Sequence, residues 1–161
     1  MRIGLIASGR FLSDGLSAEL GRIPPCLVPL GNSHLLLHQY SSIRNLADKI
    51  FVSLPEGFVL EPADQKWIES NDIEILYTDP DLKIGESLAN CINCIGLYDH
   101  ELLILYGDTI INGLKAFPSD AASVHPSQGE YRWADLYEVF GPKADKYSDL
   151  PLSGVFSVSN I

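Results

Sequence analysis

Short apolar runs alternate along the chain with stretches in which apolar positions recur every three or four residues. Residues 3–7 (Ile-Gly-Leu-Ile-Ala) form a continuous apolar run, the pattern of a strand buried on both faces. The run opens into Ser8, Gly9 and Arg10, then a polar stretch reaching Gly21. Pro24, Pro25 and Pro29 predict extended chain beyond it. Over residues 34–46, Leu35, Leu36, Tyr40, Ile43 and Leu46 fall at helical spacing. Residues 50–54 predict a second strand ended by Pro55, residues 63–69 a short helix carrying Trp67 and Ile68, and residues 73–77 a third strand. Residues 85–97 suit a helix with Leu88, Cys91, Ile92 and Ile95 on one side, and residues 102–106 are the most apolar strand of the set.

Strands alternating with helices predict an α/β fold, a mixed, mostly parallel sheet of Rossmann-like kind with helices on both faces. After Asp108 the rhythm changes. Residues 122–124, 131–140 and 152–158 read as strands with no long helix between them. The α/β first part and the β-like last third are expected to form a single domain over residues 1–161, with no internal repeat and no linker.

Composition changes this picture in one respect. Hydrophobic residues make up 46% and charged residues 20%, which excludes a disordered chain. Eleven Lys and Arg against 21 Asp and Glu, however, leave a net charge of −10 and a pI near 4.6. Such a field opposes non-specific binding to nucleic acid or to an anionic membrane surface. A polyphosphate then needs a local device, either a backbone-amide loop or a metal ion. Three cysteines (Cys26, Cys91, Cys94) do not make a disulfide framework. With no signal-peptide pattern and no membrane-length apolar run, the expected location is the cytoplasm.

In open α/β sheets ligands bind beyond the carboxyl ends of the strands, and two such ends carry suggestive residues. Ala7, Ser8, Gly9 and Arg10 form a turn of mostly small residues after the first strand, where backbone can approach a ligand and successive amides can hold phosphate oxygens. The strand at 102–106 runs into Gly107 and Asp108, which puts a carboxylate at the same rim. Mg²⁺ is commonly held by one or two carboxylates together with substrate phosphates. The competing readings are an ordinary glycine turn and an aspartate that caps it.

In combination these features resemble the sugar-phosphate nucleotidyltransferases, the nucleoside-diphosphate-sugar pyrophosphorylases. IPPCLVPLGNSHLLLHQ (23–39) is similar to that family's proline-lysine stretch and second helix, with Leu27, Pro29, Gly31, Leu35 and His38 on the pattern. IGESLANCI (84–92) is similar to the segment whose glycine, here Gly85, faces the base. LLILYGDTII (102–111) matches the metal-aspartate strand, and SGVFSVSN (153–160) the later glycine-containing strand. The resemblance implies transfer of a nucleotidyl group from a nucleoside triphosphate to a sugar 1-phosphate with release of pyrophosphate, in the supply of sugar nucleotides for polysaccharide biosynthesis. It implies that Asp108 holds Mg²⁺ and that Ala7, Ser8, Gly9, Gly85 and Gly107 contact the nucleotide. Arg10 is expected to supply catalytic charge beside Asp108.

The chain also departs from that pattern. Phe11 stands where the family loop has its second glycine, Ser13 where it has an arginine, and Pro25 where it has a lysine; no lysine precedes Lys49. Each lost charge donor is worth about 2.7–4 kcal/mol of transition-state stabilisation. Arg10 or Arg22 are the available substitutes. The alternative is a catalytically silent homologue that keeps the fold for nucleotide or sugar-nucleotide binding, or for assembly. Family members run on beyond the glycine-containing strand into segments that complete the sugar pocket, and a homo-oligomer or a partner chain is one expected source of that part. A glycosyltransferase would need an Asp-x-Asp motif, and Asp108 is followed by Thr109 and Ile110.

Other features read as structure. Cys91 and Cys94 lie within a predicted helix with no second pair and are expected to pack in the core. His34 and His38 lack the glutamate of a zinc-protease helix and read as capping or surface residues. Asp79-Pro80-Asp81 reads as a solvated turn, Trp133 as a packed strand residue, and Asp145 and Asp149 as loop residues.

Overall fold

The computed structural model describes residues 1–96, 98–124 and 152–159. The expected strand at 131–140, with Trp133, and the loop aspartates Asp145 and Asp149 lie outside the described residues. A sheet of six strands runs through the molecule. Strands β1 (Arg2–Ala7), β4 (Lys49–Pro55), β5 (Ile73–Thr78) and β6 (Glu101–Tyr106) are mutually parallel. β7 (Ala121–Val124) and β8 (Leu152–Val158) complete it in the order β5-β4-β1-β6-β8-β7, with β8 antiparallel to both its neighbours. The fold is thus a mixed α/β, mostly parallel sheet, as the alternation of patterns predicts.

Period-two geometry sorts each buried strand between two cores. Ile3, Leu5, Leu102 and Ile104 point to one face and meet Cys91 of α4 (Ile84–Ile95). Ile6, Val52, Leu103 and Leu105 point to the other, against Leu36 and Ile43 of α2 (Leu35–Ile43) and Ile68 of α3 (Pro62–Ser70). This two-sided burial is why β1 and β6 are apolar without alternation. Leu88, Ile92 and Ile95 pack against the first core as their spacing predicts, and α4 stops at Gly96 in the left-handed conformation (φ 66°).

Two segments differ from their sequence patterns. The polar stretch before Gly21 contains a seven-residue helix, α1 (Asp14–Leu20), in which no residue is buried. A helix that buries nothing carries no apolar stripe, so periodicity is silent; the usable signals are Ser13 at the cap, Asp14 in the first turn and Gly21 at the end. The proline-rich segment is not simply extended. Pro25 opens a 3-10 turn over Pro25–Leu27, closed by Leu27 N donating to Pro24 O (3.0 Å) and Val28 N to Pro25 O (3.1 Å). A two-residue ladder, β2 (Pro29–Leu30) with β3 (Ser33–His34), follows.

Cys91 is buried but Cys94 is exposed, which corrects the expectation that both pack: Cys94 lies outside the apolar stripe of α4. His34 stands at the N-cap place of α2 without capping it, and its Nε2 lies 3.0 Å from Asp64 Oδ1. Asp79 Oδ1 accepts from Asp81 N (2.9 Å), the hydrogen bond of an Asx turn. Among the described residues no helix is long and apolar enough to cross a membrane.

At the amino end of the sheet, Arg2 donates to Glu101 Oε1 (2.6 Å) and to the Phe117 carbonyl (2.8 Å). Ser119 and Ser157 hydroxyls also donate to Glu101. The hydrogen bond from Arg2 is the main reason the Glu101 carboxyl falls from 4.5 to about 2. A carboxylate lowered on folding contributes stability that is complete above pH 4.5 and is lost as pH falls through about 2. Urea midpoints of wild type should therefore decline more steeply over that acid window than those of Glu101→Gln. Parallel declines would show that the pair carries no stability.

Candidate functional site

The strand order reverses at β1: the chain first builds outward through β4 and β5, then returns to place β6 on the other side. Such a switch opens a crevice at the carboxyl ends of the two central strands. Here a cleft of about 160 Å³ lies at that place, lined by Ala7 to Arg10 at the end of β1, Tyr106 to Asp108 at the end of β6, Pro25, and Ile84, Ser87 and Leu88 of α4. Complete small-molecule sites are larger, roughly 300–1,000 Å³. The cleft formed by the described residues is smaller than that.

The floor is a junction between the loops after β1 and β6. A Cβ on Gly107 would fall 2.5 Å from Ser8 Cβ and 2.9 Å from the Ala7 carbonyl oxygen, so only glycine fits. Gly107 N donates to Ala7 O (2.8 Å). Ser8 N donates to Ser53 Oγ (2.9 Å), and Ser8 Oγ accepts from Cys26 N (3.0 Å). Gly9 is held just as closely from below, for a Cβ there would lie 2.1 Å from Thr78 Oγ1. The glycines and the small serine are therefore demanded by packing of the protein on itself. The amides of Ser8 and Gly107 are engaged internally, whereas those of Gly9 and Arg10 donate to no group among the described residues.

Asp108 stands exposed on the lip beyond this junction. Thr109 Oγ1 donates to Asp108 Oδ1 (3.3 Å), and Thr109 is in turn pressed under β8, where a Cβ on Gly154 would lie 2.3 Å from that hydroxyl. Burial, and then the nearby Asp108 charge, raise the Tyr106 phenol above its ordinary range. Tyr106 stacks edge-on with Phe156 of β8 (5.6 Å between centroids) and forms an apolar wall with Ile84 and Leu88.

Arg10 is exposed on the lining and makes no ion pair among the described residues. Arg22 lies over the Phe11 ring (4.2 Å), and Phe11 meets Phe58 edge-on; it does not line the cleft. Gly85 is exposed in the first turn of α4, beside the lining residue Ile84 but not itself on the lining. The structure thus gathers Ala7, Ser8, Gly9, Arg10, Gly107 and Asp108 on one cleft and leaves Gly85 at its margin. Pro25, aligned by resemblance with a lysine, also lines it.

Searches with family models and among curated proteins give no match. Among solved structures the chain is similar to a nucleoside-diphosphate-sugar pyrophosphorylase from Vibrio cholerae, at a TM-score of 0.61 and 15% identity. The match covers 96% of this chain and 72% of that one. The likeness is one of fold.

Sequence reasoning missed Gln39. It is fully buried, and its Nε2 donates to the carbonyls of Tyr106 (3.2 Å), Gly107 (2.9 Å) and Thr109 (3.0 Å). The available signal was a polar residue in the core register of α2, three residues after Leu36 and four before Ile43. No cluster of three or more potential metal-binding side chains occurs among the described residues. The buried thiols are poor nucleophiles: burial pushes Cys26 up to about 12 and Cys91 to about 11.

The contrast between two glycines tests the junction. Gly107→Ala should cost about 1–3 kcal/mol through overpacking against Ser8 and the Ala7 carbonyl. Gly85→Ala meets nothing within 4 Å and should leave stability unchanged or slightly higher. Chemical denaturation reads both, and equal midpoints for Gly107→Ala and wild type would refute the close packing.

Proposed function

We propose that this chain is a nucleotidyltransferase, moving a nucleotidyl group from a nucleoside triphosphate to a sugar 1-phosphate with release of pyrophosphate. The observation that carries the reading is the placement of Asp108 across one cleft from the turn at Ser8–Arg10, at the reversal of strand order. The similarity of fold to a nucleoside-diphosphate-sugar pyrophosphorylase supports it.

On this reading the free amides of Gly9 and Arg10, with the Arg10 guanidinium, hold phosphate oxygens. The apolar wall of Ile84, Leu88 and Tyr106 covers the base, whose edge reaches the margin at Gly85. The chemistry is in-line attack of a sugar-phosphate oxygen on the α-phosphorus. It forms the new P–O bond as the bond to pyrophosphate breaks, so no protein nucleophile is required and positioning with charge carries the rate. A single exposed carboxylate suits Mg²⁺, which takes hard oxygen ligands and draws the remainder from substrate phosphates and water. Asp108 would hold it, and the ion, when bound, supplies positive charge against the triphosphate.

One observation favours the silent homologue: Arg10 is the only cation lining the described cleft, and Pro25 offers neither charge nor donor where the resemblance implies a lysine. A thermal-stability titration with the common nucleoside triphosphates, with and without MgCl₂, separates the readings. A nucleotide at about 100 times its dissociation constant should add roughly 2.7 kcal/mol. Asp108→Ala should abolish the Mg²⁺-dependent part, and Pro25→Lys should tighten binding about tenfold, or ~1.4 kcal/mol. No shift with any nucleotide would sink the proposal. Binding without pyrophosphate release across a panel of sugar phosphates would establish the silent homologue.

A further inference from the structure

The turn that carries Asp108 is pinned at Gly107, whose N–H donates to Ala7 O, and at Thr109, which lies under Gly154 of β8. Its one internal backbone bond runs from Thr109 N to Tyr106 O (3.0 Å). Further support comes from two successive turns of α2. The two N–H donors of Gln39 are shared among three carbonyls of the 106–109 segment, and Ser42, on the next turn of the helix, donates to the Ile111 carbonyl at 2.6 Å. Gln39 is 0% exposed, and its Oε1 has no partner among the described residues.

That orphaned oxygen is informative. A buried acceptor left without a partner is costly. An apolar residue of similar size would avoid the cost while filling the same core position between Leu36 and Ile43. The side chain is therefore explained by what its other end does, and that end is devoted wholly to the Asp108 turn. The Gln39 bonds reach Tyr106, Gly107 and Thr109, on both sides of Asp108, and leave the aspartate itself outward on the lip.

We infer that Gln39 is a positioning residue that presets the Asp108 carboxylate for a divalent cation bound with nucleotide phosphates. The inference rests on the proposed function. Gln39 touches no ligand; it acts through the backbone on which Asp108 is carried. The residue is thus distinguished from Ser42, which anchors the same loop beyond the reach of the carboxylate.

The test compares wild type, Gln39→Met, Gln39→Glu and Ser42→Ala in calorimetric titrations with the nucleoside triphosphate that wild type binds best, with and without MgCl₂. Gln39→Met should weaken the Mg²⁺-dependent part of binding by roughly 10–100-fold, the range seen when a group that orients a metal ligand is lost. Its metal-free binding should stay within about twofold of wild type, the noise level set by ~0.4 kcal/mol. Ser42→Ala should keep the Mg²⁺-dependent part. Gln39→Glu keeps one donor, and only when protonated, so its Mg²⁺ dependence should weaken more than that of wild type as pH rises. Hydrogen exchange at the Gly107 and Thr109 amides should quicken in Gln39→Met. If Gln39→Met does not fold, the pH profile of Gln39→Glu decides: a profile parallel to wild type overturns the inference. Equal losses with and without metal, or an unchanged Mg²⁺ increment, also overturn it. A wild type that binds no nucleotide removes the proposed function itself, and the inference with it.

Discussion

Everything at the candidate site rests on the closeness of two loops. The backbone after β6 passes so near the backbone after β1 that Ser8 and Gly107 touch where a second side chain would need to be. Two parallel neighbours bring their ends to the same height in the sheet, and the register of β1 with β6 continues as far as Ala7 beside Tyr106. The Gly107–Ala7 hydrogen bond extends that pairing one step past the strands. With this contact go the glycine at 107, the burial of Ser8, and the position of Asp108 on the lip beyond it. Ser8 then passes the constraint sideways, to Ser53 on β4 and to Cys26 in the turn that brings Pro25 to the cleft.

This changes what the small residues mean. A glycine after a first strand invites a phosphate reading because bare backbone can approach a ligand. Here Gly9 and Gly107 are bare because other parts of the protein press on them, Thr78 in one case and Ser8 in the other. The two explanations are compatible, since a rigid floor is what a phosphate site needs, but the packing reason is sufficient by itself. Electrostatics separates them more sharply. In a chain of net charge −10, any polyphosphate bound here would need positive charge locally, and among the described lining residues Arg10 offers it.

The central sheet was legible in the sequence because buried parallel strands and the helices that cover them write their burial into periodicity; the runs at 3–7, 50–54, 73–77 and 102–106 all lie within observed strands. Helix α1 was not, because none of its residues is buried. Asp108 and the turn at Ser8–Arg10 were legible as strand ends, and topology then places them together. Gln39 was not, because one polar residue in an apolar stripe gives no hint of which carbonyls it reaches. Those partners lie 67 to 70 residues away along the chain, and only the fold defines them.

Strand β8 has a consequence for the order in which the molecule assembles. It enters the sheet between β6 and β7, and its Gly154 closes over Thr109, whose hydroxyl meets the Asp108 carboxylate. The four parallel strands can pair in the order the chain emerges, but this contact joins segments far apart in sequence and closes a large loop, the kind of step that forms late. Until β8 is seated, the lip of the cleft lacks its outer support. A nascent chain would thus hold a nearly complete sheet, with the Asp108 turn already tied to Ala7 and Gln39, before one antiparallel strand closed over Thr109.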